Sequence, residues 1–250
     1  MGEGGDQRET LTIVVPAYDE EGRLPALLDA LGRGGDEAAA EAGLHLTEVI
    51  VVDDGSRDGT NALLAGFDGL EGRFRTLRFE RNRGKGAAVK AGLLDATADV
   101  ALVSDVDLSA PLGELRALAS ALRAGADVAL GSRALPGSRI VRRQRRSRET
   151  MGKAFNVALR LLTGLPFRDT QCGFKLVRLA TARPVVAALR IEGFAFDAEL
   201  CVRACRAGLH VVEVPVEWAN HPDTHVGARG ASRMGVDLLR LAWWSRRRAR

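Results

Sequence analysis

The sequence predicts an α/β fold in which a mostly parallel central sheet is flanked by helices on both faces. Short apolar runs typical of buried strands alternate with segments of helical periodicity through the first 133 residues. Polar and acidic residues follow directly after four of these runs. Because the carboxyl ends of parallel strands meet at one edge of a sheet, we expect these residues to form a single site there.

Within this first part, each of the first four apolar runs is followed by a helix. The strand at 11–16 is apolar throughout and is therefore expected at the centre of the sheet. The helix at 23–31 carries four leucines on one face, and residues 34–43 are expected to be an acidic surface stretch. Further strands are predicted at 48–53, 74–79, 100–104 and 127–133, and further helices from 58 onward, at 87–96 and at 112–123.

The pattern changes after Arg133. Residues 136–148 are strongly basic and are expected to be a loop, and 169–177 form a turn that leads into a strand. One more strand is predicted at 210–215, and helices are predicted at 151–163, 181–189, 197–207 and 237–250.

The composition is that of an ordinary folded protein. The chain has 250 residues, of which 46% are hydrophobic and 27% charged, enough for one large domain or two small ones. Residues 1–10 do not resemble a signal peptide, and no run approaches the roughly 20 apolar residues that cross a bilayer. Three cysteines are too few for a disulfide framework, so we expect a reducing, cytoplasmic location.

Arginine is unevenly distributed. The net charge is only +4, but arginines are concentrated between Arg133 and Arg148 and again between Arg246 and Arg250. Such clusters indicate an anionic partner, either a membrane surface, a phosphate group or nucleic acid. No aromatic residues are interleaved with the arginines of the first cluster, so nucleic acid is not expected.

Asp105 and Asp107 follow the strand at 100–104 and are separated only by Val106. Side chains at i and i+2 of an extended segment point to the same side, so both carboxylates can reach one point. Two carboxylates there suit Mg²⁺ or Mn²⁺, with water or phosphate oxygens as the remaining ligands. The same pair could instead begin a turn or cap the helix after Pro111.

Other residues at this edge fit a nucleoside diphosphate sugar. Asp53 and Glu20 follow neighbouring strands and can hydrogen-bond a base and a ribose. Lys85 lies between two glycines, so no neighbouring side chain obstructs its approach to a phosphate. Taken singly, Glu20 and Lys85 could be surface charges, and Asp54 is expected to be a structural turn residue. Their joint placement favours a donor site.

Several segments resemble the inverting glycosyltransferases of family 2, which have the Rossmann-like GT-A fold. They are Val14–Glu21, Val51–Thr60, Asn82–Gly86 and Asp105–Asp107. Four further segments resemble the dolichyl-phosphate glucosyltransferase branch: Gly131–Arg133, Arg168–Leu176, Phe194–Leu200 and Glu213–Trp218. The resemblance runs in order from residue 10 to residue 245.

The resemblance implies one GT-A domain over residues 1–250, with a nucleotide-sugar-binding half at 10–133. The acceptor-binding half at 134–250 would carry the basic loop and a C-terminal amphipathic helix. The nucleotide sugar would be bound by Pro16, Ala17, Tyr18, Glu20, Asp53, Lys85, Asp105 and Val106. Asp105 and Asp107 would hold the metal, and the acceptor phosphate would be bound by Arg133 with Arg145 or Arg148.

The resemblance also implies a reaction, the metal-dependent transfer of a hexose to a polyprenyl or dolichyl phosphate with inversion. UDP-glucose is the favoured donor and GDP-mannose the alternative. Asp107, Asp197 and Arg133 would act in catalysis. A phosphate acceptor is already anionic and needs no general base, whereas a soluble hydroxyl acceptor would need one, for which Asp197 is the candidate. Asp197 could also orient the donor sugar or cap the helix at 197–207.

Other classes of protein fit less well. A nucleotidyltransferase would carry a glycine-rich loop after the first strand, where Pro16–Glu20 stands instead. A phosphoacceptor signalling module would be shorter and would place its acidic pair after the first strand. A protein that only binds nucleotides stays an alternative, and metal-dependent turnover would distinguish it from an enzyme.

The C-terminal pair Trp243–Trp244, followed by arginines, suits the interface of an anionic membrane. This predicts peripheral attachment to the cytoplasmic face of a membrane. The alternative is a terminal helix that packs its tryptophans on the core.

Overall fold

The computed structural model describes residues 8–143, 146–221, 234–241 and 244, with only the backbone described at 146–149 and 153. The strands are β1 (Glu9–Ala17), β2 (Leu44–Asp53), β3 (Phe74–Arg78), β4 (Val100–Val103), β5 (Val128–Ser132), β6 (Arg139–Arg142), β7 (Lys175–Arg178), β8 (Val211–Pro215) and β9 (Glu217–Ala219). The helices are α1 (Leu24–Glu41), α2 (Thr60–Ala65), α3 (Lys85–Asp95), α4 (Leu115–Arg123), α5 (Arg146–Thr163), α6 (Leu179–Ala187), α7 (Phe196–Arg206) and α8 (234–241).

The predicted α/β fold is confirmed. Among the described residues, seven strands form the central sheet in the order β3-β2-β1-β4-β7-β5-β8. β7 runs antiparallel between β4 and β5, and the other neighbours are parallel. The carboxyl ends of β1, β2, β4 and β5 therefore lie at the same edge, as expected from the polar residues that follow these strands.

Helices cover both faces of the sheet. On one face, α1 and α4 pack through residues such as Leu27 and Leu118. On the other face, α3, α6 and α7 pack through Val89, Val186 and Leu200. A smaller apolar cluster, centred on Leu159 of α5 and Leu241 of α8, lies beside α7. The central strands are buried on both faces, which explains why their sequences are continuously apolar.

The prediction of a surface stretch at 34–43 is wrong, because α1 continues to Glu41. Its second half buries Gly35 and Ala39 against the sheet. A Cβ at Gly35 would lie 3.1 Å from Leu46 Cδ2, so the helix packs close to β2 at this point. Tertiary packing thus overrides the low helix propensity of glycine.

The basic segment at 136–148 is only partly a loop. β6 pairs in parallel with β9 in a separate two-stranded sheet, and Arg139 forms an ion pair with Glu217 at 2.7 Å. The helix predicted from residue 151 already begins at Arg146. β6 and β9 are too short and too charged to give a strand pattern in the sequence.

No helix within the described part of the chain combines the length and apolar character required to cross a membrane. The predicted helix at 237–250 falls partly outside the described residues and is seen as helix over 234–241.

Candidate active site

The loops that leave β1 and β2 are held together by hydrogen bonds. Asp19 has a positive φ of 52°, and its N–H donates to Ser56 Oγ at 3.0 Å. The N–H of Arg57 donates back to Asp19 Oδ1 at 2.8 Å. Glu20 is fixed in the same way, because its N–H donates to Thr60 Oγ1 at 2.8 Å. The two loops therefore form one rigid wall at the edge of the sheet.

Several predicted donor-site residues lie on this wall. Pro16 and Ala17 are the last residues of β1, and the side chain of Tyr18 is exposed. Glu20 accepts two hydrogen bonds of 2.6 Å from the guanidinium of Arg23. Burial raises the pKa of Glu20, and although Arg23 opposes this, the carboxylates of Asp107 and Asp105 add to the rise. The carboxylate of Glu20 is therefore near those of Asp107 and Asp105.

Asp53 and Asp54 end β2 but have different surroundings. Asp53 is fully buried, and its Oδ1 accepts the N–H of Ser56 at 2.8 Å. Its Oδ2 has no hydrogen-bond donor among the described residues, and Arg78 Nε is 3.4 Å away. A buried carboxylate oxygen without a donor is an acceptor that a bound ligand can satisfy.

Asp54 has a structural role, as expected. Its carboxylate accepts the N–H groups of Arg83 and Gly84, both at 2.7 Å, and the side-chain amide of Asn82 at 3.0 Å. These three bonds hold the basic loop against the end of β2. Lys85 follows Gly84 and is the first residue of α3.

The glycines on either side of Lys85 are needed for packing. Gly84 has a φ of 118°, and a Cβ on it would overlap the carbonyl oxygen of Glu192. The same carbonyl accepts the N–H of Gly86 at 2.7 Å. A Cβ on Gly86 would lie 2.5 Å from the carbonyl oxygen of Ile191. The segment at 191–193 therefore packs directly against the glycines of this loop.

Lys85 and Asp105 form an ion pair of 2.5 Å. Burial alone would raise the pKa of Asp105, but the Lys85 ammonium holds it below the usual value. Gly173 packs directly against this carboxylate, because a Cβ at residue 173 would overlap Asp105 Oδ2. Gly173 was not predicted as a site residue, although it belongs to one of the segments that carry the family resemblance.

Asp107 lies beside Asp105 at the same edge of the sheet. Its Oδ1 accepts the N–H of Ser109 at 3.0 Å, and the intervening Val106 is buried in the core. Within the described residues, no group of three or more His, Cys, Asp or Glu side chains is arranged to hold a metal. A divalent cation bound by two half-exposed carboxylates and completed by phosphate and water oxygens fits this arrangement.

Arg133 is held by a buried carboxylate that was not predicted as a site residue. Its Nε and Nη2 donate to Asp169 at 2.7 and 2.9 Å, and its backbone N–H donates to the same group at 3.0 Å. Burial would raise the pKa of Asp169, but Arg133 lowers it below the usual value. The guanidinium carbon also lies 5.3 Å from the centre of the Trp218 ring.

A second carboxylate supports this pair from β8. Glu213 accepts the N–H groups of Arg168 and Asp169 at 2.7 and 2.8 Å, and the hydroxyl of Ser132 at 2.8 Å. Sequence reasoning missed Asp169, Glu213 and Trp218 as individual residues. The signal that could have identified them is that all three fall within segments of the family resemblance.

The other predicted acceptor-site residues are only partly placed. Arg145 lies outside the described residues. Arg148 lies in the first turns of α5, where only the backbone is described.

Asp197 is buried at the beginning of α7 and does not cap it. The N-cap residue is Ala195, and no side chain caps this helix, so the N-cap alternative is wrong. Asp197 Oδ1 instead lies 2.5 Å from Nζ of Lys175, which is also buried. Burial raises the pKa of Asp197, while the Lys175 and Lys85 ammonium groups oppose that rise.

Trp244 packs on the core, which supports the alternative interpretation for this tryptophan. Its ring lies 4.2 Å from the guanidinium carbon of Arg203 and 5.0 Å from that of Arg206. The side chain also contacts the apolar cluster under α7. Trp243 lies outside the described residues.

Comparisons with known proteins establish the family of the chain. Residues 12–182 match the family described as Glycosyl transferase family 2. The dolichyl-phosphate beta-glucosyltransferase ALG5C of Trichomonas vaginalis is 32% identical over 241 residues, covering 94% of this chain and 71% of the relative. The dolichyl-phosphate beta-glucosyltransferase of Drosophila melanogaster is 36% identical over 216 residues, 83% of this chain and 66% of the relative.

The fold is also found in a solved enzyme structure. The glucosyl-3-phosphoglycerate synthase of Mycobacterium tuberculosis, crystallised with Mn²⁺, UDP-glucose and phosphoglyceric acid, superposes with a TM-score of 0.68. The match covers 94% of this chain and 80% of the synthase at 20% identity, and it establishes the shared fold. The family match and the relatives identify the chain as a glycosyltransferase that belongs to glycosyl transferase family 2.

Proposed function

We propose that this protein transfers glucose from UDP-glucose to a polyprenyl or dolichyl phosphate, with inversion at the anomeric carbon. The observation that carries the proposal is the placement of cations around Asp105. Lys85 forms an ion pair with this carboxylate, and the Arg133 guanidinium is close enough to help lower its pKa. Such a site can receive the diphosphate of a donor and the phosphate of an acceptor together. The names of the relatives support the same donor sugar and lipid.

The donor would lie along the wall formed by the loops after β1 and β2, within the half of the domain at 10–133. Asp53 Oδ2 would accept an N–H of the base, which would satisfy its missing hydrogen bond. Pro16, Ala17 and Tyr18 would line the nucleoside pocket, with Glu20 near the ribose. Val106 would contribute only its backbone, because its side chain lies in the core.

Asp105 and Asp107 would hold Mg²⁺ or Mn²⁺. When bound, such a cation neutralises negative charge that develops on the departing diphosphate. Lys85 would supply further positive charge to the same phosphate oxygens. The loop that carries Lys85 is held in place by Asp54 and by the carbonyl of Glu192.

The acceptor would enter on the side of Arg133, in the half at 134–250. Asp169 holds two of the guanidinium nitrogens, which fixes the direction in which Nη1 can donate to a phosphate. Arg145 or Arg148 would complete the phosphate site. A phosphate oxygen would attack the anomeric carbon as the bond to the diphosphate breaks, and no proton has to be removed. Asp197 would then orient the hydroxyls of the donor sugar.

The outer faces of α5 and α8 would contact the membrane, consistent with peripheral attachment to its cytoplasmic face. Met151 and Leu161 of α5 and Val236 and Leu239 of α8 are exposed, with Leu161 at 80% exposure. The two helices pack together through the cluster around Leu159 and Leu241. The exposed segment that precedes α5 carries Arg142 and Arg143, which would face anionic lipid headgroups.

The test is a transfer assay with the purified protein and Mn²⁺ or Mg²⁺. Labelled UDP-glucose and GDP-mannose are offered separately, with and without a polyprenyl phosphate. We expect UDP-glucose to label the organic phase, Asp107→Ala to abolish the transfer, and the exposed control Asp29→Ala to leave it unchanged.

Other outcomes would contradict the proposal. If only GDP-mannose labels the organic phase, the donor is GDP-mannose and not UDP-glucose. If the donor is consumed only when a soluble hydroxyl acceptor is present, the acceptor is not a lipid phosphate, and Asp197 becomes the candidate for the general base. Donor binding without turnover in any combination would leave a nucleotide-binding protein.

A further inference from the structure

A lysine is buried in the middle of the central sheet. Lys175 is the first residue of β7 and is 1% exposed. Its backbone pairs with Val103 of β4 on one side and Leu130 of β5 on the other. Directly opposite residues in a sheet project from the same face, so the lysine stem shares that face with two apolar side chains. Lysine is almost never fully buried unless it is paired.

The Lys175 ammonium has two protein partners, the carboxylate of Asp197 as an ion pair and one backbone carbonyl as a hydrogen-bond acceptor. It lies 2.5 Å from Asp197 Oδ1 and donates a hydrogen bond to the carbonyl oxygen of Cys172. Buried ion pairs can often be replaced by well-packed apolar residues without loss of stability. Stability alone therefore does not explain a lysine at this position.

The segment at 172–175 connects three parts of the site. Gly173 packs against Asp105, and Lys175 reaches Asp197 on α7. The register partners of Lys175, Val103 and Leu130, lie shortly before Asp105 and Arg133. The ammonium of Lys175 thus fixes Asp197 relative to the strands that deliver the predicted metal ligand and the predicted acceptor arginine.

We propose that Lys175 is a positioning residue that holds Asp197 ionised and in a single orientation for contact with the donor sugar. This inference rests on the proposed role of Asp197 in the transferase. The charged groups that face Asp197 are Lys175 from β7, Lys85 from α3 and Asp105 after β4, with the Cys201 thiol on its own helix. Removal of Lys175 leaves Lys85 as the remaining cation of this set, and burial then favours the protonated carboxyl group.

The test compares Lys175→Met, Asp197→Asn and the double variant with the wild type. Calorimetry measures the affinity for UDP-glucose and for UDP, each with Mn²⁺. We expect Lys175→Met to reduce the preference for UDP-glucose over UDP by about tenfold, the effect of one lost hydrogen bond to a charged group. In a transfer assay, the acidic limb of its kcat profile should move to higher pH, because a carboxylate that loses a cation is protonated more readily.

The double variant distinguishes positioning from a general structural role. If Lys175 acts through Asp197, the double variant should bind UDP-glucose as Asp197→Asn does. Lys90→Met is the control, because Lys90 is also partly buried and donates to the carbonyl of Leu189 at 2.8 Å, away from the site.

Losses that simply add in the double variant, or an unchanged sugar preference and pH profile in Lys175→Met, would overturn the proposal. If Lys175→Met does not fold, the comparison of Asp197→Asn with the double variant, which removes both charges, still tests it. The binding experiment needs no acceptor, so it gives a result even if the protein transfers no sugar to lipid.

Discussion

Two adjacent aspartates at the end of β2 illustrate how neighbouring residues of one type take different roles. Asp53 keeps one buried oxygen without a hydrogen-bond donor, whereas Asp54 accepts three hydrogen bonds from the loop at 82–84. The first keeps an acceptor that the proposed donor would satisfy, and the second maintains the position of Lys85. From the sequence, Asp53 is expected to contact a ligand and Asp54 to be a turn residue, but the hydrogen-bond partners of the two carboxylates are visible only in the structure.

The role of Asp54 can be tested by Asp54→Asn. The amide NH2 would replace one of the two carboxylate oxygens and would therefore oppose the backbone N–H of either Arg83 or Gly84, which loses its acceptor. We expect the free energy of unfolding to fall by about 2 kcal/mol, the penalty for unsatisfied buried groups, and KM for the donor to rise. Urea unfolding and steady-state kinetics measure both quantities.

The control for this variant is Asp68→Asn at an exposed position. Equal stability and equal KM in Asp54→Asn and the control would show that the three hydrogen bonds do not hold the loop.

At the scale of single elements, the sequence predicts what depends on local pattern. The strand before Asp105, the helix after Lys85 and the placement of Tyr18, Asp53 and Asp105 at one edge all follow from short apolar runs and the residues after them. For the glycines beside Lys85, the sequence indicates open access to phosphate, whereas in the structure the carbonyls of Ile191 and Glu192 occupy the space beside them. This contact joins residues about a hundred positions apart and leaves no local signature.

The remaining differences have the same cause. The pairing of Lys175 with Asp197, and of Arg133 with Asp169, depends on where β7 inserts into the sheet. Periodicity reports whether a segment is buried but not which strand lies beside it. The three-residue strand β9 is too short for any periodic signal.

The continuation of α1 beyond residue 31 gives a prediction for this helix. Gly32 is exposed, and a Cβ there would meet nothing within 4 Å, so Gly32→Ala should raise the free energy of unfolding by about 0.5–1 kcal/mol. Gly35→Ala would bring a Cβ to 3.1 Å from Leu46 Cδ2, and the steric conflict should cancel or reverse this gain. Urea unfolding of the two variants provides a matched comparison. A larger gain for Gly35→Ala than for Gly32→Ala would mean that the helix does not pack against β2 as described.

At the scale of the whole molecule, the helices α5 and α8, which carry exposed apolar side chains, lie next to α7, the helix that carries Asp197. The predicted donor and acceptor groups gather at the carboxyl edge of the sheet, whereas exposed apolar side chains occur on α5 and α8 beside α7.

This arrangement predicts the effect of charges on α5 and α8. The double variant Leu161→Glu/Leu239→Glu should bind vesicles that contain anionic lipid at least about tenfold more weakly, because two exposed leucines no longer enter the bilayer. Its kcat with a short, water-soluble prenyl phosphate should be unchanged. Vesicle sedimentation at low and high salt measures the binding, and high salt should weaken the binding of the wild type.

Leu94→Glu is the control, because Leu94 is an exposed leucine on α3. If the double variant sediments with vesicles as well as the wild type and this control do, α5 and α8 are not the membrane-binding surface.

The position of β7 in the sheet also affects how the protein is made. β4 and β5 leave the ribosome well before β7, yet each pairs with β7 rather than with the other. During synthesis, β1, β2, β3 and β4 can assemble as a four-stranded unit whose β4 edge stays open until residues 175–178 emerge. An open edge of apolar strand can pair with another chain. The nascent chain is thus most exposed to aggregation while the segment between Val103 and Lys175 is being translated, and the arrival of one four-residue strand ends that interval.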